Sequence, residues 1–306
     1  MSKKIFILIV FALFFVRSNA QQDPQYSMYM FNPLAINPAY AGTKDALSLT
    51  LLTRNQWIGI NDGPPVTNSI SIQGPLRKKK IGLGLELMND RLGPKSVGGA
   101  LVSYSYNIPL LTGKLSFGLR TGFYNYTIDW SKVTYKDNTD PFVMNSPLVE
   151  KKSVFSGDFG MYYYTKSFYW GLSATHMNRD RYSNFATDPQ FQAIHLFSPI
   201  GFGIHVSDNL VINPSLLIKM VKGSPVGVDA NCNFLIDSKL WLGISVRKGY
   251  GISALAMWNI TNKLQLGFSY DHGMNRIGVL GKGSFEAMIK YNFNVSKTTT
   301  VTPRYL

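Results

Sequence analysis

Leu240-Trp241-Leu242-Gly243-Ile244-Ser245-Val246-Arg247 decides the fold. Its even positions are aliphatic, and its odd positions carry Trp, Gly, Ser and Arg. A period of two is the signature of a strand with one apolar face; helical spacing does not fit it. The pattern recurs in Ile81–Leu87, with Gly82, Gly84 and Glu86 between the aliphatics. It recurs in Leu115–Phe123, with Ser116, Gly118, Arg120 and Gly122, and in Leu264–Tyr270, with Gln265, Gly267 and Ser269 before Asp271. Extended along the chain, it predicts about fourteen strands, near 45–60, 66–76, 80–90, 96–108, 113–127, 153–164, 168–178, 192–206, 209–221, 225–237, 239–248, 250–260, 263–272 and 284–295. Roughly ten residues is the length that crosses a bilayer as a tilted strand. No window after residue 20 holds the ~18 apolar residues of a transmembrane helix.

The connections alternate as well. Pro109–Gly113, Thr165–Ser167, Asp208-Asn209, Asp237–Lys239 and Thr261-Asn262 are short turns, whereas 128–152, 179–191 and 273–283 are longer joins. Short turns at one rim and long loops at the other describe an all-β, antiparallel, up-and-down transmembrane barrel of the outer-membrane type. An even strand number then puts both termini on the periplasmic side. Aromatics at strand ends, Trp57, Tyr124, Tyr126, Trp170 and Trp258, are expected in the interfacial girdles.

Charge placement agrees with a lumen. Arg54, Glu86, Arg120, Asp158, Lys219, Asp229, Arg247, Asp271, Glu286 and Lys290 all fall in the phase opposite the apolar residues. A Lys or Arg facing lipid at mid-depth would cost roughly 2–4 kcal/mol. Five of the ten are basic and five acidic, so a confined lumen pairs them internally and stays near neutral. A soluble β-sandwich also alternates, but it would place Lys and Glu on its solvent faces; here that phase is mostly Gly, Ser, Asn and Thr.

The 306 residues carry 31 Lys+Arg against 17 Asp+Glu, a formal +14, with 45% hydrophobic and only 16% charged residues. An ordinary soluble domain is about 25% charged. Lys3 and Lys4 precede the apolar run Ile5–Val16, and Arg17-Ser18-Asn19-Ala20 follows, which reads as a signal peptide cut after Ala20. Losing those three basic residues lowers the formal charge from +14 to +11. A basic chain suggests nucleic acid, but the Lys and Arg are dispersed, and an exported protein meets lipid headgroups or acidic partners instead. Nucleic acid is not an expected partner. The dense run Arg77-Lys78-Lys79-Lys80 reads as a solvated basic turn. The expected division is 1–20 signal peptide, 21–43 N-terminal segment, 44–296 barrel and 297–306 C-terminal tail.

Residues 21–43 differ from the rest. Pro24, Pro33 and Pro38 forbid a regular central strand, and Asn32-Pro33 and Asn37-Pro38 favour turns. The segment is nevertheless rich in Tyr, Met and Phe, so it should pack against the barrel or inside it, as a stabilising plug or as a docking element. Its motifs, Asp23-Pro24-Gln25-Tyr26-Ser27, Phe31-Asn32-Pro33-Leu34 and Asn37-Pro38-Ala39-Tyr40-Ala41-Gly42, resemble the opening of the PorP/SprF family of the Bacteroidetes type IX secretion system. The likeness continues through Arg54-Asn55-Gln56-Trp57, Gly63-Pro64-Pro65, Gly82-Leu83-Gly84, Ser269-Tyr270-Asp271 and Gly283-Ser284-Phe285-Glu286, where Phe285 stands in place of the family's frequent His. The resemblance implies an outer-membrane barrel that works in export or surface attachment of particular large cargo proteins, often adhesins, some used in gliding motility. It further implies cargo recognition through a C-terminal domain and docking of periplasmic machinery below. The family positions matched are Asp23, Pro24, Gln25, Tyr26, Asn32, Pro33, Asn37, Pro38, Tyr40, Gly42, Arg54 and Trp57.

Signals for catalysis are missing. His176, His195, His205 and His272 lie in separate segments without ligand spacing, there is no G-x-S-x-G elbow, and Gly281-Lys282-Gly283-Ser284 lacks the upstream Gly of a phosphate loop. Asp137 and Asp140 lie among basic residues, a poor calcium site. One Cys excludes a disulfide framework. No cofactor, no metal and no enzymatic activity are expected. The alternatives are a passive porin or small-solute transporter, and a structural anchor that docks periplasmic components through Arg77–Lys80. For cargo contact the candidates are the 128–152 and 179–191 joins, with Tyr135, Phe142, Tyr182 and Phe185 as anchors.

Overall fold

Alternation decides each strand's two faces, and closure of the sheet decides which face meets lipid. The computed structural model describes residues 24–44, 46–61, 63–76, 80–133, 148–183 and 190–293. The leader, Asp23, Asp137, Asp140, Arg77–Lys79, Tyr135, Phe142, Phe185 and the tail 297–306 lie outside the described residues, and the side chain of Tyr182 does too. The first strands are β1 (Leu47–Asn55), β2 (Val66–Leu76), β3 (Ile81–Leu92), β4 (Lys95–Leu110), β5 (Gly113–Asp129), β6 (Val149–Tyr164) and β7 (Phe168–Thr175). After the short pair β8 (Arg181–Ser183) and β9 (Gln190–Phe191) come β10 (His195–Phe202), β11 (Ile204–Ser207), β12 (Leu210–Val221), β13 (Gly227–Ile236), β14 (Leu240–Arg247), β15 (Gly251–Asn259), β16 (Leu264–Gly273) and β17 (Ser284–Phe293).

Each strand pairs antiparallel with its sequence neighbour, apart from the β8–β9 hairpin. The ring closes between β1 and β17, from Leu47↔Phe293 to Asn55↔Phe285. β10 and β11 are two halves of one stave, separated at Gly203, whose N–H leaves the ladder to reach Ser167 O at 2.8 Å. The result is a closed barrel of fourteen staves, as the periodicity predicts.

In β14, Leu242, Ile244 and Val246 are exposed on the outer wall, while Trp241, Ser245 and Arg247 are buried in the lumen. The outer surface is apolar because a lipid-facing strand has no solvent to satisfy polar side chains. Trp170 and Trp258 face outward as expected of girdle residues. Tyr124 and Tyr126 do not: both are buried on the lumen side. Their parity explains this, since Phe123 and Leu119 hold the outward phase of β5 and the two tyrosines hold the other.

β4, β5 and β6 carry 16, 17 and 16 residues, more than the roughly 9–11 a tilted strand needs to cross. Against β7 the excess stands at the long-join rim, since Ala174 pairs with Phe159 while β6 begins at Val149. At the short-turn rim β4 also runs past β3, whose first residue, Ile81, pairs with Tyr106 while β4 continues to Leu110. The predicted 128–152 join is thereby shortened, because β5 runs to Asp129 and β6 starts at Val149. The β8–β9 hairpin gives the 179–191 join secondary structure of its own.

Candidate functional site: a plugged lumen with an open vestibule

Proline and asparagine shape the N-terminal segment. Three single-turn 3-10 helices, Tyr29–Phe31, Pro33–Ala35 and Pro38–Tyr40, follow one another, the last two opened by a proline at the first helical position. Proline is preorganised for that position and lacks only an N–H that would be unpaired there. Asn37 caps the third turn by accepting from Ala39 N at 2.9 Å. The same side chain donates to Met161 O at 3.0 Å, which ties the turn to β6.

The segment lies inside the barrel. Met28, Leu34, Asn37, Ala39 and Ala41 are all essentially without exposed surface. Each fully buried Met or Leu contributes roughly 1.5–3 kcal/mol, so the plug is a second core. Tyr40 packs edge-on against Tyr162, ring centroids 5.5 Å apart, and Phe31 against Trp241 at 5.8 Å. Wall glycines admit it: a Cβ on Gly118 would collide with the Ala39 backbone, and one on Gly82 with Ala41 O. Ser105, Ser116 and Ser173 then donate to Ala41 O, Ala39 O and Ile36 O. The Gly, Ser and Asn of the lumen phase are thus the surface on which plug backbone is read.

Nine of the ten sequence-predicted lumen charges form three clusters, each of which engages the plug, and Lys290 engages it alone. Arg54 binds Asp271 at 2.6 Å and Glu286 at 3.0 Å, all three without exposed side-chain surface. Glu286 also accepts from the backbone N–H groups of Ser27 and Met28 at 2.7 and 2.9 Å. Ser27 Oγ donates to Asp271. Arg120 binds Asp158 at 2.6 Å and Glu86 at 3.2 Å, and donates to Leu34 O and Ala35 O. Lys219 and Arg247 share Asp229, at 2.8 and 3.1 Å. Above that carboxylate, Lys219 donates to Gln25 Oε1 and Arg247 to Tyr26 O. Lys290 donates to Phe31 O at 2.7 Å.

Two sets of predicted residues therefore become one. Pro24, Gln25, Tyr26, Asn32, Pro33, Asn37, Pro38, Tyr40 and Gly42 form the plug, and Arg54 with the nine other charges holds it. Trp57 stands apart in the β1–β2 turn, its backbone N–H bonded to Ser284 Oγ at 3.2 Å. His176, which the sequence reads as an interfacial or lumen histidine without metal-ligand spacing, is buried on the lumen side. Its N–H and the Ser156 hydroxyl both donate to Asp158 Oδ1, and its Nδ1 lies 3.0 Å from Ser156 Oγ. This is not triad geometry, because Asp158 meets the backbone of His176 and the guanidinium of Arg120.

The plug starts high and ends low. Gln25 and Tyr26 sit by Lys219 and Arg247, near the long-join ends of β12 and β14. Gly42 lies at the other rim, where its N–H reaches Gln73 Oε1 at 2.8 Å, a few residues before β1 begins. Gly42 adopts φ +66° there, against the backbone of Gly82. Above the plug is a cavity of about 470 Å3. Its floor is Pro24, Tyr26, Tyr29 and Ile36, and its walls include Tyr124, Tyr126, Arg247, Lys248 and Tyr250. The 222–226 and 248–250 turns border it, which places its mouth at the long-join rim.

A closed fourteen-stave barrel with a polar lumen, an apolar exterior and an internal plug is an outer-membrane-type protein. Residues 18–291 match the model of the type IX secretion system membrane protein PorP/SprF family, and the chain belongs to that family. No curated protein matches the chain. Among solved structures, the CymD monoaromatic hydrocarbon channel is similar at TM-score 0.51 with 11% identity, over 85% of this chain and 92% of that one. An outer membrane protein of Acinetobacter baumannii is similar at TM-score 0.48 with 9% identity, over 81% of this chain and 99% of that one. At 11% identity the likeness to the CymD channel is one of fold alone. The protein is an outer-membrane barrel associated with type IX secretion.

Proposed function

We propose that the protein is a non-catalytic receptor that binds or guides a particular exported cargo protein, such as an adhesin, for surface attachment, with gliding motility one process it would serve. The observation that carries this reading is the lumen, which among the described residues is plugged in its lower half and open above as a vestibule. A receptacle of this form suits retention of part of a partner, whereas a passive porin needs a path through. The cargo would be engaged through its C-terminal domain at the long-join rim, taken as the outer face. Periplasmic machinery would dock at the short-turn rim, and the basic sequence Arg77-Lys78-Lys79-Lys80 between β2 and β3 offers it positive charge. Outer-membrane lipid surrounds the apolar wall, and no cofactor takes part.

The test is a deletion strain compared with its parent by quantitative proteomics of medium and cell surface. The expected result is loss or mislocalisation of one or a few large exported proteins, restored by complementation. An unchanged surface proteome with slower small-solute uptake would overturn the reading in favour of a porin.

A further inference from the structure

The ten predicted lumen charges are five basic and five acidic, but they do not balance cluster by cluster. Arg54 and Arg120 each face two carboxylates. That negative excess is met by N–H and O–H donors: Ser27 N and Met28 N on Glu286, and Ser156 Oγ and His176 N on Asp158. The third cluster is the reverse, with the two cations Lys219 and Arg247 on one carboxylate, Asp229. Among the described residues, their other acceptors are neutral oxygens, Gln25 Oε1 at 3.3 Å and Tyr26 O at 3.1 Å. Arg247 additionally lies over the Tyr250 ring, 5.4 Å from its centroid. Buried cations are ordinarily matched by anions, because an uncompensated charge away from water is costly.

The cation-rich cluster borders the vestibule. Besides Glu86, Asp90, Lys95 and Arg120, the lining of the 470 Å3 cavity has two walls, Lys219, Arg247 and Lys248 on one and Met88, Val97, Leu101, Tyr124 and Tyr126 on the other. The last five form an apolar and aromatic cluster facing into the lumen. A cavity of this size accepts something on the scale of a small ligand. It therefore takes a chain end or a loop tip, not a folded domain.

We propose that the vestibule is a subsite for an acidic peptide segment: a carboxylate of the partner chain completes the Lys219–Arg247 cluster while a neighbouring apolar side chain lies on the Tyr124–Tyr126 wall. Charge-assisted hydrogen bonds to such a carboxylate are strengthened by exclusion of water. The paired requirement, acid beside apolar group, favours a peptide over a free phosphate, which uses only the basic wall. This deepens the cargo-receptor reading and rests on it.

The test uses the purified full-length barrel in nanodiscs. The probes are a dye-labelled tetrapeptide of alternating Glu and Leu, its Gln–Leu counterpart, and inorganic phosphate as competitor. Lys219→Gln leaves Arg247 and Asp229 matched one to one, so the barrel should keep its heat-modifiable migration. Its affinity for the acidic peptide should fall about tenfold or more. Lys132→Gln, at an exposed rim pair with Asp129 outside the cavity, should bind as the parent does. Equal binding of the Gln–Leu peptide, unchanged affinity in Lys219→Gln, or an equal loss in Lys132→Gln would overturn the subsite. Displacement by phosphate at concentrations similar to the peptide's would assign the site to a phosphate instead. In cells, Lys219→Gln should release the cargo that the deletion strain releases. A deletion that releases cargo while Lys219→Gln retains it sinks the subsite alone; a deletion that releases nothing sinks the receptor reading.

Discussion

Arg54 is the residue on which barrel closure and plug docking meet. It sits in β1, its two carboxylates sit in β16 and β17, and Ser27 of the plug accepts from its Nη1 at 2.8 Å. Removing the guanidinium strands two fully buried carboxylates beside each other. Arg54→Met should therefore lower stability by about 3–5 kcal/mol, read as an earlier loss of heat-modifiable migration or an earlier urea midpoint. Arg54→Lys should fall between, since one ammonium cannot reproduce a forked contact with two carboxylates; equal stability of Arg54→Met and the parent would contradict the cluster. The sequence shows Arg54 twice, as a family-motif residue and as a charge in the lumen phase. It does not show that these are one role, because the contacts join residues more than two hundred positions apart. The aromatic girdle teaches the converse lesson. Tyr124 and Tyr126 were legible as lumen residues from their parity in β5, and their aromatic character alone points the wrong way.

Among the elements, the strands were legible and the plug's path was not. Alternation is a local property, so Leu240–Arg247 or Leu264–Tyr270 reveals a strand without knowledge of its partners. The plug has no period; its three 3-10 turns follow from Pro and Asn placement, but their position depends on glycines of distant strands. Gly118 and Gly82 make room for Ala39 and Ala41, and nothing local in either strand says so. The plug's contacts also separate a receptacle from a pore. In planar bilayers the intact protein should pass little current, since Met28, Leu34, Asn37 and Tyr40 are buried against the walls. A variant lacking residues 24–43 should conduct strongly if it inserts, because a fourteen-stave barrel without its filling approaches the width of open porins. Gly118→Val, which keeps the plug sequence but denies Ala39 its seat, should show intermittent openings. A large steady current from the intact protein would contradict the plug.

The whole molecule has a polarity that neither strands nor turns announce. An even number of staves returns the chain to the rim where it began, which is why both termini are expected on one side. β1 starts and β17 ends at the same short-turn rim, in keeping with that rule. The plug adds a traverse of its own: from Gly42 at that rim, the chain traced backward climbs through the lumen to Gln25 and Pro24 on the vestibule floor. Whatever precedes Pro24 thus departs from the half of the barrel bearing the long joins, while whatever follows Phe293 departs from the other. If the long-join rim faces outward, an epitope tag inserted directly before Pro24 should be stained by antibody on intact cells, and one placed after Phe293 only after permeabilisation. A protease added outside should remove the first tag and spare the second. Staining of both tags only after permeabilisation would mean that the chain before Pro24 turns back past the plug, and the single traverse of the lumen would have to be abandoned.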